Sequence, residues 1–150
     1  MRLKLSNEIF FAEVERLLSE GESVTLTVRG NSMRPWLRDG KHKVVLYPCS
    51  DKELQVGDIA LFRHNGSHIL HRVAEMDGDK ITFAGDGNIG LKELTTLNNV
   101  VALAKSIILP NGRVIVRGSR EWRFKSRIWL AIPQIGRRII LSLLRRICRV

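Results

Sequence analysis

The sequence predicts a mainly β domain of curled antiparallel sheets, with a short N-terminal helix and a basic, amphipathic, helical C-terminal tail. Three observations carry that expectation. Short runs of alternating apolar and polar residues recur between Gly-, Pro- and Asn-containing turns, spaced roughly every eight to twelve residues as in sandwiches and barrels. The strand–helix alternation of a parallel doubly wound sheet is missing. Charge is also segregated. Residues 1–112 carry 14 Lys+Arg and 14 Asp+Glu, whereas residues 113–150 carry 11 basic residues and one acid, Glu121, which accounts for the net charge of +10. At 150 residues the chain is long enough for a real core, and the expected division is a β domain over residues 1–117 and a tail over 118–150.

Taken in order, Ser6 or Asn7 is placed to cap a helix, with Glu8 in its first turn. Phe10, Val14, Leu17 and Leu18 follow at helical spacing, and Gly21 is a natural stop. Val24, Leu26 and Val28 then alternate with Thr25, Thr27 and Arg29, as in a half-buried strand. Further strands are expected over residues 43–47, ended by Pro48, and over 59–63, after a Gly57-Asp58 turn. Residues 68–75 and 80–84 flank Asp77-Gly78-Asp79, a hairpin signal. A tight Gly85-Asp86-Gly87-Asn88 turn comes next. Residues 100–109 and 113–117 form a last hairpin around Pro110-Asn111-Gly112.

The tail has a different period. Residues 127–132 are apolar and aromatic, and Pro133 interrupts them. From Ile135, the residues Ile139, Leu143 and Ile147 share one face, widened by Ile140, Leu144 and Cys148, while Arg138, Ser142, Arg145 and Arg149 lie opposite. Such a helix suits a membrane surface, a protein partner, or the domain's own core. The cationic face favours anionic lipid headgroups. Nucleic acid is the weaker reading, because the arginines alternate with a strongly apolar face rather than lining up for a phosphate backbone.

Two cysteines, Cys49 and Cys148, lie far apart, so a disulfide framework is not expected and a reducing, cytoplasmic setting is the simpler reading. The first 21 residues lack the apolar core of a signal peptide, and no run of about 20 apolar residues predicts a membrane-spanning helix. His64, His68 and His71 have neither the parity nor the companions of a metal site, so no cofactor is expected.

The stretch Gly30-Asn31-Ser32-Met33-Arg34-Pro35-Trp36-Leu37-Arg38-Asp39-Gly40 presents a hydroxyl between glycine turns at the end of a strand. Taken alone, Ser32 reads as readily as a turn serine, because hydroxyls serve turns through bonds to the backbone. A serine nucleophile needs a base. Of the four histidines, His71 has the best context, mid-strand in Ile69-Leu70-His71-Arg72-Val73, with Arg72 directed to the other face. Spacing alone favours a surface histidine there.

These segments together resemble a known family. Gly30-Asn31-Ser32-Met33-Arg34-Pro35 looks like the Ser-Met-x-Pro nucleophile box of the signal peptidase/LexA-like serine peptidases, and residues 56–62, Val-Gly-Asp-Ile-Ala-Leu-Phe, are similar to their second block. His71-Arg72-Val73 falls where the general base belongs. It is a histidine as in the endoplasmic-reticulum and archaeal type, also found in some bacteria, and not the lysine of other members. Gly85-Asp86-Gly87-Asn88 resembles the Gly-Asp block that follows. The resemblance implies a serine endopeptidase with Ser32 as nucleophile, His71 as base, the Ser32 backbone N–H in the oxyanion hole, and a peptide or protein substrate with small residues near the scissile bond. It points to Asp86 as the acid that orients His71, with Glu93 as second choice, since residues 89–93 hold no aspartate. A competing expectation is a catalytically inactive peptide- or membrane-binding module on the same scaffold.

Overall fold

The computed structural model describes residues 7–50 and 52–147. Ser6, Cys148 and Arg149, invoked above for a cap and a helix face, lie outside them. Among the described residues the α-helices are α1 (Asn7–Ser19), α2 (Arg120–Ala131) and α3 (Gln134–Ile147), with one 3-10 turn at Leu97–Asn99. Between α1 and α2 run eight strands: β1 (Val24–Thr27), β2 (Lys43–Pro48), β3 (Ile59–His64), β4 (Ser67–Asp77), β5 (Lys80–Ala84), β6 (Glu93–Thr96), β7 (Val100–Ile108) and β8 (Val114–Val116). The mainly β antiparallel architecture expected from the sequence is therefore present, with its helices at either end.

All eight strands join one sheet, seven of them in the order β1-β2-β7-β3-β4-β5-β6 and β8 paired to β7 off that path, every pairing antiparallel. β7 is its hinge. One edge pairs with β2, and the other is shared between β3 at residues 100–103 and β8 at residues 106–108. Register shifts in the β2–β7, β3–β7 and β4–β5 pairings mark the bends that curl it.

β3 explains why the sheet has apolar matter on both faces. Its run Ile59-Ala60-Leu61-Phe62 is buried throughout. Ile59 and Leu61 face a cluster with Val14 and Leu18 of α1, Val44, Leu46 and Trp122, while Ala60 and Phe62 face a second cluster with Val73, Ile81 and Phe83. A continuous apolar run, rather than an alternating one, is what a strand covered on both sides requires.

The strand that spacing left unassigned is β6. Glu93-Leu94-Thr95-Thr96 is short and carries one large apolar residue, Leu94, which is exposed. Its place is set by pairing with β5, not by a pattern of its own.

Candidate active site

The loop after β1 is closed at its neck. Gly40 N–H donates to Val28 O at 2.8 Å, and Gly30 N–H donates to Asp39 Oδ1 at 2.9 Å. Gly30 and Gly40 both have positive φ, 82° and 67°, which a side chain would disfavour. Met33 and Leu37 then plug the loop into the first core cluster with 2% and 0% exposure. Burying each is worth about 1.5–3 kcal/mol, so Ser32 sits on an anchored segment rather than a free turn. The Arg34–Pro35 peptide bond is cis.

His71 comes from the middle of β4, opposite Ala60. It is 4% exposed, which overturns the surface-histidine reading. Its Nδ1 lies 2.9 Å from Glu93 Oε2. With a carboxylate on Nδ1, the neutral ring carries its proton there and leaves Nε2 as an acceptor. Nε2 faces the end of β5. A Cβ built on Gly85 would fall 2.9 Å from His71 Nε2 and 2.6 Å from Ser32 O. The imidazole and the Ser32 backbone thus converge on the one residue that has no side chain to separate them.

Gly87 completes the contact. Its N–H donates to Ser32 O at 2.8 Å, and a Cβ there would collide with Asn31 O. Ser32, His71 and Glu93 line one cleft of about 880 Å³, which β1 and Phe10 and Phe11 of α1 also line. Among the described residues, no hydrogen bond engages either Ser32 Oγ or the Ser32 N–H. Looser nucleophile–base spacing is common without substrate.

Asp86, the first choice to orient His71, is committed elsewhere. It holds Arg72 through Nε–Oδ1 at 2.9 Å and Nη2–Oδ2 at 2.7 Å, with both residues buried. Arg72 also donates to Gly57 O at 2.9 Å and Ser126 Oγ at 2.7 Å, and Asp86 O accepts from Trp129 Nε1 at 3.1 Å. The pair therefore ties the turn before β3, the end of β5 and α2 together.

The physical reason is parity. Arg72 pairs with Ala84, the last residue of β5, and the turn that follows brings Asp86 back onto its guanidinium. Val73, two residues from His71, pairs with Phe83, which pairs with Glu93. The same alternation that separates His71 from Arg72 gives each a different carboxylate. That register was the missing signal, and without β6 it could not be read.

Of the remaining histidines, His68 lines the same cleft as His71, whereas His42 and His64 do not. His42 Nδ1 accepts the Arg38 N–H at 3.1 Å, His68 stacks on Phe11 at 4.4 Å between centroids, and His64 lies near Asn65. Burial, followed by the charges of Arg38 and Lys125, holds the His42 pKa below its ordinary value. Asp58, read as a turn residue, does accept the Gln55 N–H, and it also pairs with Arg117 at 2.8 Å.

No curated protein matches this sequence. Residues 3–95, more than half of the chain and including Ser32, His71, Asp86 and Glu93, match the model of the Peptidase S24-like family. With that match and the antiparallel β fold around the Ser32 loop, the chain belongs to the Peptidase S24-like family, a serine peptidase-like scaffold.

Proposed function

We propose that the chain is a serine endopeptidase of the histidine type, with Ser32 as nucleophile, His71 as general base and Glu93 in the acid's place. The observation that carries this reading is the His71 Nδ1–Glu93 Oε2 contact of 2.9 Å in the cleft that Ser32 also lines. Ser32 Oγ attacks the scissile carbonyl as His71 Nε2 takes its proton, and the Ser32 N–H receives the oxyanion. Collapse breaks the C–N bond, and the amine leaves with the proton from Nε2. Water then repeats the sequence on the acyl-enzyme. Glu93 fixes the Nδ1–H tautomer and stabilises the imidazolium. Asp86 supports the site through Arg72 without joining the proton transfer.

The test is incubation with a proteome-derived peptide mixture and identification of new termini by mass spectrometry. Cleavage is expected from the wild type and from neither Ser32→Ala nor His71→Ala. Cleavage retained in either variant contradicts the mechanism. An inactive peptide-binding module would give no new termini at all.

A second element of the proposal concerns α3. Ile135, Ile139, Leu143 and Ile147 are each more than half exposed and lie along one stripe, with Arg146 exposed beside it and Arg138 and Arg145 exposed further round the helix. No helix among the described residues is long and apolar enough to cross a membrane. An exposed apolar stripe flanked by arginines fits the plane of an anionic bilayer surface, with the tail over residues 118–150 as the peripheral anchor.

A further inference from the structure

Ser32 lies where two clefts meet. One is the His71 cleft, walled by the free edge of β1. The other, about 1000 Å³, opens on the far side of the loop, between Arg34, Pro35 and Trp36 and the C-terminal helices. Ser32 and Asn88 line both. An extended chain with its reacting carbonyl at Ser32 has two flanks, and only one of them fits along β1.

The second cleft has a defined chemistry. Trp129, Ile140, Leu141 and Leu144 give it an apolar wall. Arg34, Arg38 and Arg145 border it, no acidic side chain lines it, and among the described residues none of these arginines is in an ion pair. Buried side-chain nitrogens without a hydrogen-bond partner among the described residues are Arg34 Nε and Trp36 Nε1, and both residues belong to this wall. Unpaired cations beside an apolar wall favour a ligand that brings carboxylates to them.

The geometry points to this cleft as the subsite for the substrate flank remote from β1, selecting a segment that combines apolar side chains with carboxylates. This assignment rests on the peptidase reading for its meaning, but the binding it requires is measurable without catalysis. α3 then has two faces with two tasks: the Leu141 and Leu144 face encloses substrate, and the Ile139 and Leu143 stripe faces outward.

The experiment titrates the Ser32→Ala protein with a capped octapeptide of alternating Leu and Glu, and with its Leu and Lys counterpart, following tryptophan emission. Saturable binding of the acidic peptide is expected, at least tenfold tighter than the basic one. Arg38→Glu combined with Arg145→Glu abolishes or reverses that preference, whereas Ile139→Glu on the outward stripe leaves it within twofold. No saturable change, or an unchanged preference in the double variant, overturns the assignment. Reaction of wild-type Ser32 with a serine-directed acylating reagent separates the two readings. Labelling without peptide binding removes the subsite alone, and peptide binding without labelling removes the peptidase reading and leaves the cleft.

Discussion

Glu93 Oε2 lies 2.9 Å from His71 Nδ1, while the neighbouring residue Arg72 takes Asp86 at 2.7 Å on the opposite face of β4. Asp86 and Glu93 both follow the histidine in the chain, and the sheet assigns them different work. Glu93→Gln keeps the size of the side chain and removes the charge that the proposed mechanism uses to stabilise the imidazolium. Peptidase turnover is expected to fall about 10²-fold or more with little change in KM. Steady-state kinetics on a peptide from the cleavage screen checks this, and unaltered turnover would remove Glu93 from the proton path.

Asp86→Asn is expected to act on stability. It leaves the Arg72 guanidinium buried without its counter-charge, which costs about 3–5 kcal/mol. Urea denaturation is expected to show a larger loss for Asp86→Asn than for Glu93→Gln. The reverse order would place the structural charge at the wrong residue.

Gly85→Ala tests the convergence of Ser32 and His71. The added Cβ would meet Ser32 O at 2.6 Å and His71 Nε2 at 2.9 Å, so one of them must move. A stability loss of about 1–3 kcal/mol is expected from the overpacking, together with loss of turnover. A fully active Gly85→Ala protein would mean that the ring and the loop are not held together there.

His42 supplies a pH dependence. Burial and the Arg38 and Lys125 charges depress its folded pKa, whereas the unfolded chain regains the ordinary value of 6.5. The unfolded state therefore binds a proton that the folded state refuses. This contribution to stability is complete above about pH 6.5 and is lost as pH falls through the folded value. Thermal melts between pH 7.5 and 5.5 are expected to show a smaller decline for His42→Asn, whose Oδ1 can still accept the Arg38 N–H. An equal decline would show that His42 does not carry the effect.

Co-sedimentation with vesicles tests the outward face of α3. Binding to anionic vesicles, weaker at high salt and absent with neutral lipid alone, is expected. Ile139→Glu with Leu143→Glu should abolish it. Binding that survives both substitutions would assign the contact to another surface.

Much of this fold was legible because its strands carry period-2 patterns and its turns carry glycine. β1, β2, β4 and β5 follow from such local signals, and the glycine-bounded Ser32 loop stands out for the same reason. Glu93 carries no such signal because β6 is defined by its partner. Four residues, one of them a large exposed apolar side chain, offer no periodicity to read. α2 shows the same limit. Trp122, Ser126 and Trp129 are buried one turn apart along one face, yet Ser126 is there to meet Arg72, a contact 54 residues distant. The identities of the site residues were local information, and their pairing was a matter of register.

The central claim is that His71, oriented by Glu93, activates Ser32. Its most direct test is the adduct formed by a fluorophosphonate-type serine reagent, read by intact mass and peptide mapping. A single adduct on Ser32 is expected, lost in His71→Ala and slowed in Glu93→Gln, with Asp86 variants judged only where folded. An adduct on another residue, or Ser32 labelling at an unchanged rate in His71→Ala, would contradict it.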